Sequence, residues 1–261
     1  MKRIVYTIGL TIYCLVMLGQ TATAPSLGDG TSGSPYQIVS LENLYWIAAL
    51  DDVVSSPNSA TRWTAHYIQT ANIDVSSAST WFDGKGWQPI GYDPTNTGTT
   101  ANKFSGVYNG NGYKITGLRI NRPAEGNVGL FGHFGSTTST TTIKNVRLED
   151  VVVVGGRGAG TLVGRVTGQQ VTTIENCSAI KGTGSGSVTG DAATGGLVGS
   201  NNSNLTNASN SLGHQPRILT SYAGIDVVSS NSGDNKIKFG GLTGCNQKGY
   251  IENCYATGSV S

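Results

Sequence analysis

The chain has 261 residues, a formal net charge of +2, 12% charged residues and 38 glycines. It has no basic cluster and so no nucleic-acid footprint, and beyond its first residues no stretch is apolar enough to span a membrane. Regularly placed Ile, Leu and Val oppose the disorder that so much Gly, Ser, Thr and Asn would otherwise suggest.

Residues 1–24 read as a secretory signal peptide: a basic start, Lys2-Arg3, an apolar run over 4–18 and a small-residue end, Ala22-Thr23-Ala24. Cleavage is expected within a few residues of Pro25 and brings the net charge to zero, because Lys2 and Arg3 supply the excess. Cys14 lies inside the apolar run, which argues against a lipoprotein anchor. The mature chain keeps Cys177, Cys245 and Cys254, an odd number for an oxidising destination, so a disulfide framework is not expected to hold the fold. The expected place of work is extracellular, secreted or at the cell surface.

Residues 25–103 are read as an N-terminal cap and first coils. Pro35-Tyr36-Gln37-Ile38-Val39 predicts a short strand, and Ser40 caps a helix in which Leu41, Leu44, Ile47 and Ala48 recur at helical spacing up to about Leu50. This one short helix is expected to cover the open end of a stack of strands. Strands are also expected around Ile68, Ile73 and Ile90. All four tryptophans fall in this region, and Trp81 and Trp87 flank a stretch that reads as a loop. Such rings either complete the cap's core or offer a platform for sugars.

Residues 104–261 repeat themselves. Ile-Glu-Asn-Cys occurs at 174–177 and 251–254, with looser copies starting at Ile115, Ile143 and Ile218, at spacings of 28, 31, 44 and 33 residues. Between these copies lies a second landmark, a small-apolar-glycine box built on Leu130, Leu162, Leu197 and Leu242. Aligned, the copies give inward ladders: Ile115, Ile143, Ile174, Ile218 and Ile251; Leu118, Val146, Cys177, Ser221 and Cys254; Ile120, Leu148, Ala179, Ala223 and Ala256. Gly117, Asn145, Asn176, Thr220 and Asn253 share a column where a left-handed bend is expected. Alternation sends Arg119, Arg147, Ser178, Tyr222 and Tyr255 outward, and the tyrosines on neighbouring coils form a second candidate surface for a glycan or protein. Cys177 and Cys254, two coils apart, would have Cα atoms about 9.6 Å from each other, too far for a disulfide. The pattern predicts an all-β fold, a parallel β-helix with three-sided coils.

The paired Gly-Leu-x-Gly and Ile-Glu-Asn-Cys-x-Ala-x-Gly signatures resemble GLUG-motif repeats of bacterial secreted and surface proteins, adhesin-like proteins and some immunoglobulin A peptidases among them. Thr161 replaces glycine in one box and Thr220 replaces asparagine in one bend. The resemblance implies a right-handed β-solenoid, an extracellular setting and no catalytic residues.

Neither residue types nor spacing supply a reaction. Glycines follow the strand at 151–154, but no helix opens after them, so a dinucleotide turn is not expected. His66, His133 and His214 lie far apart, no serine sits in a nucleophile elbow, and no cofactor or metal is expected. A polar turn at 231–235 and three glycosylation-like triplets beginning at Asn201, Asn204 and Asn207 read as exposed loop. The leading expectation is a non-catalytic surface solenoid for adhesion, ligand presentation or spacing of other domains. The alternative is a polysaccharide-degrading enzyme, for which Glu149, Asp150 and Asp226 are the candidate carboxylates. Ice binding needs a threonine lattice, and the threonines at 137–142 read as one local cluster. Because Ser261 falls partway through a repeat, the sequence predicts either a longer natural chain or self-association through an uncapped coil.

Overall fold

A computed structural model describes residues 20–92, 103–168, 170–203, 215–230 and 238–261. Residues 1–19 of the signal segment, the turn at 231–235, His214 and the triplets at Asn204 and Asn207 lie outside them. The regular structure of the described chain is mostly strand, 42% against 10% helix, and its sheets are parallel.

Each sheet takes one strand from each successive repeat, because inward side chains one repeat apart meet in register. In the isoleucine sheet the inward column is Tyr67, Tyr108, Ile143, Ile174, Ile218 and Ile251. In the alanine sheet it is Ile73, Ile115, Leu148, Ala179, Ala223 and Ala256. A valine sheet aligns Ile120, Val153, Val188 and Val227, and a box sheet aligns Phe131, Val163, Val198 and Thr243. Alternation in the isoleucine and valine strands buries every second side chain, and these residues join one hydrophobic cluster running from Ile38 to Val227. A fully buried aliphatic side chain contributes about 1.5–3 kcal/mol here. Segments 25–103 and 104–261 supply strands to the same two sheets, since Tyr36–Ile38 and His66–Gln69 begin the isoleucine sheet and Ile73–Asp74 begins the alanine sheet.

The structure corrects the register of the first repeat. Ile115 stands beside Leu148 instead of Ile143, and Ile120 beside Val153. The Ile143 position of that repeat is filled by Tyr108, a ring that packs on Phe131 with centroids 5.5 Å apart. Gly117 consequently turns the corner that Asp150 turns in the next repeat, and Leu118 precedes the valine sheet. Each repeat also contributes to four long sheets rather than three, because the strands Val152–Gly155, Ser187–Gly190 and Asp226–Ser229 form a face of their own.

The Leu41–Ala48 helix begins at Ser40, whose Oγ accepts from the Asn43 amide at 3.3 Å. Residues 43–48 are all buried and Glu42 is exposed, so the helix is enclosed around most of its circumference. Short helical turns at Ser59–Arg62 and Trp81–Gly84 help to enclose it. Arg62, 1% exposed, holds the helix's carboxyl end by donating to Trp46 O, and the Trp63 indole donates to Ile47 O at 2.9 Å.

The box sequence has a steric origin. After the valine sheet the chain doubles back across the outer face of the box sheet, and a Cβ on Gly164 would overlap the backbone of Asn127 and Val128. Gly199 faces Gly158 and Ala159 in the same way, and Gly244 faces Ala193 and Thr194. Only glycine permits that approach. The box leucines Leu130, Leu162 and Leu197 are fully buried, and Leu242 is half-buried. Thr161 is accommodated because its hydroxyl donates to Gly196 O at 2.5 Å.

Candidate functional site

The bends place the second strand of each repeat. Asn145, Asn176, Thr220 and Asn253 adopt φ of 56°, 50°, 49° and 53°. In this left-handed region a short polar side chain is tolerated better than most. Asn176 Nδ2 donates to Asn145 Oδ1 at 2.8 Å, and Asn145 Nδ2 to Asn109 Oδ1 at the same distance, so the bends are tied from repeat to repeat. Just inside them lie Cys177, 1% exposed, and the half-buried Cys254; both are free thiols. Burial pushes the Cys177 thiol up to about 12, which keeps it protonated and unreactive. Ser221, buried between these cysteines, accepts from Cys177 N at 3.0 Å and donates to Leu219 O at 2.7 Å.

Beyond the bends, one column of the alanine sheet reads Lys114, Arg147, Ser178, Tyr222 and Tyr255. The two tyrosine rings stack with centroids 4.9 Å apart and planes 2° from parallel, as like rings on adjacent strands would. Tyr255 is 57% exposed and Tyr222 half-buried. Ser178, expected outward, is 7% exposed, and Arg119 stands beside Val152 in the valine sheet. The face therefore runs from two cations at Lys114 and Arg147, through a small residue, to an aromatic ledge.

The tryptophans sit differently. Trp87 is 0% exposed, its indole donating to Leu130 O at 3.2 Å, and Trp81 packs on Tyr45 and Trp87 with centroids 4.8 Å and 6.3 Å away. The Trp87 ring is thus committed to the core and out of reach of a sugar. Phe82 and Asp83 between them take left-handed backbone angles, and the Arg122 guanidinium lies over the Phe82 ring, 5.3 Å from its centroid. Arg122, 3% exposed, binds Glu125 at 2.8 Å, and Glu125 also accepts from Tyr92 at 2.6 Å. Burial acts to raise the Glu125 carboxyl, but the hydrogen bonds from Tyr92 and Arg122 outweigh it and hold the group below its usual range.

The candidate carboxylates are engaged in the framework. Glu149 pairs with Lys114 at 3.0 Å and Arg147 at 3.1 Å. Asp150 Oδ1 accepts from the amides of Gly182 and Gly184 at 2.8 Å and 2.9 Å. Asp226 binds Lys181 and Ser259, and these hydrogen bonds, that from Lys181 first, pull its carboxyl down to about 2. All three serve as acceptors that fix turns and strand ends. Among the described residues no three His, Cys, Asp or Glu side chains are grouped as metal ligands. Asn201, expected in an exposed loop, is 0% exposed within the strand Val198–Ser203 and donates to Asn246 Oδ1 at 2.8 Å, which closes that triplet to a glycan. Thr142 does recur, beside Thr173, but the column continues to Arg217 and forms no lattice.

A cavity of about 580 Å³ opens against the box sheet. One wall is the set of turns that double back over the sheet, at Asn127, Arg157 and Ala192; the other is the sheet's outer face at Arg165, Ser200 and Cys245, which are neighbours in register. Sequence reasoning missed this cavity because no local motif joins its residues.

The GLUG motif model matches residues 239–261, which hold the last box and the last Ile-Glu-Asn-Cys segment. Halomucin from Haloquadratum walsbyi is 36% identical over 195 residues, 73% of this chain and 2% of that protein. A protein described as a Gly-rich membrane protein, from Evansella cellulosilytica, is 35% identical over 154 residues, 58% of this chain and 15% of its own length. The chain therefore spans a small part of either relative. No solved structure matches it. No helix among the described residues is long and apolar enough to cross a membrane.

Proposed function

We propose that this chain, which carries the GLUG motif at residues 239–261, is a non-catalytic module of a secreted or cell-surface protein. It is built as a right-handed parallel β-helix that presents its outer faces for adhesion. The observation that carries the reading is the coplanar Tyr222–Tyr255 pair on a regular sheet face, with Tyr255 57% exposed and Tyr222 half-buried. A flat aromatic ledge suits the apolar face of a sugar ring or a partner's side chain, and its rigidity limits the entropy lost on binding. The in-register sheets support the β-helix, since identical strand order in each sheet is what a stack of coils requires. The names of the two relatives, one a halomucin and one a Gly-rich membrane protein, support a surface setting. The framework contacts of Glu149, Asp150 and Asp226 count against these three as the acid-base pair of a polysaccharide-degrading enzyme.

The test is binding of the folded chain to cells, matrix proteins and a glycan panel, with the Tyr222→Ala/Tyr255→Ala double variant alongside. Loss of about 10-fold in affinity, near 1.4 kcal/mol, is expected in the double variant. A folded chain that binds none of these targets, or a double variant that binds as well as the parent, overturns the reading.

A further inference from the structure

The cavity on the box sheet gathers positive charge. Arg157, Arg165 and Lys238 line it, and no carboxylate does so among the described residues. These cations come from separate turns and strands and are brought together by the register that sets Arg165 beside Ser200 and Ser200 beside Cys245. Lys238 Nζ lies 3.6 Å from Cys245 Sγ, and neither Lys238 nor Arg157 forms an ion pair within the described residues. The same lining holds Ser200, Asn202 and Gln247, which can donate to and accept from hydroxyl groups. Asn202 and Gln247 are neighbours in register, so amides recur along one face of the cavity.

The positive field extends behind the cavity. Lys103, 7% exposed, has its ammonium lowered by burial and then by the Arg165 charge. His133, beside Arg165 in register and 1% exposed, is lowered to about 3 by burial, with Lys103 and Arg165 adding to it. Cations gathered in a partly buried cleft attract an anion more strongly than the same charges on open surface.

We propose that this cleft binds an acidic glycan, with the carboxylate or sulfate groups of the sugar seated on Arg157, Arg165 and Lys238 and its hydroxyls on Ser200, Asn202 and Gln247. The volume is of the size that holds a small ligand, here one or two sugar units of a longer chain. Guanidinium groups match the two oxygens of a carboxylate or sulfate, and the interleaved amides and hydroxyl favour a sugar over a bare anion. The proposal deepens the adhesion reading and rests on it for the setting, but it uses a different face from the tyrosine ledge.

The experiment titrates the full chain by calorimetry at 50 and 500 mM salt with four probes: oligogalacturonate, sulfated dextran oligomers, neutral dextran oligomers and an oligoglutamate. Variants are Arg157→Gln and Lys238→Gln in the cleft, with Lys144→Gln and Tyr222→Ala/Tyr255→Ala as controls elsewhere. Arg157 is exposed and Arg157→Gln is therefore compatible with the fold. The expected result is binding of one or both acidic sugars at least 10-fold tighter than neutral dextran, weakened by salt. Each cleft variant should lose about 5- to 10-fold, and neither control should lose affinity. Preference for oligogalacturonate assigns a carboxylate ligand and preference for sulfated dextran a sulfate one. Equal binding of neutral dextran, or cleft variants that bind like Lys144→Gln, overturns the proposal. Oligoglutamate binding as tight as that of the sugars overturns the glycan assignment. Loss of acidic-glycan binding in the tyrosine variant alone would return the ligand to the ledge and so separates failure of the cleft from failure of the adhesion reading.

Discussion

His133 is buried against its neighbours, with Nε2 2.5 Å from Thr167 Oγ1 and the charges of Lys103 and Arg165 nearby. Its folded pKa of about 3 lies below the ordinary 6.5, so the unfolded chain takes up a proton first as pH falls. The resulting stability is complete above about pH 6.5 and is lost progressively down to about pH 3. Between pH 7 and pH 5 the expected loss is about 2 kcal/mol. Urea unfolding at the two pH values measures it, and His133→Gln should flatten the difference. Asp226 acts in a separate window, since its carboxyl, depressed to about 2, gives up stability only as pH falls from about 4 toward 2. A parent protein equally stable at pH 7 and pH 5 would contradict the burial of a neutral imidazole.

At the scale of the element, the bend asparagines combine backbone and side-chain roles. Asn176→Gly keeps the left-handed angle but loses the hydrogen bond to Asn145, and should cost well under 1 kcal/mol beyond that bond. Asn176→Ala loses the bond and strains the backbone, adding about 1–2 kcal/mol. Urea denaturation of both variants separates the two contributions, and an alanine variant as stable as the glycine one would remove the conformational argument. These bends, the isoleucine ladder and the box leucines were legible because each repeats one residue type at one position. The first repeat was misread because Tyr67 and Tyr108 fill places held elsewhere by isoleucine, while Ile115 supplies a false match. The valine sheet stayed hidden since loops of unequal length separate it from the bends: Val153 follows Asn145 by 8 residues and Val188 follows Asn176 by 12. The cationic cleft could not be read at all, because Arg157, Arg165 and Lys238 meet only through register between distant strands.

For the whole molecule, burial grades along the direction in which repeats add. Residues of the middle repeats such as Ile143, Ile174, Leu162 and Val198 are 0% exposed, whereas Tyr250 is 44%, Ile251 36% and Val260 50% exposed. Local opening is easiest where side chains are least buried. Hydrogen exchange should therefore be slowest in the strands Thr141–Lys144, Val163–Gly168 and Thr172–Glu175, and faster by at least 100-fold in Tyr250–Glu252 and Tyr255–Ala256. Uniform protection would instead indicate a single cooperative block.

The glycines on which the chain doubles back, Gly164, Gly199 and Gly244, let floor and wall of the cleft approach backbone to backbone. Exposed lining positions such as Arg157 and Gln247 are set apart from that close approach, and a repeat of this kind can exchange its recognition chemistry, one surface residue at a time, while its architecture stays as it is.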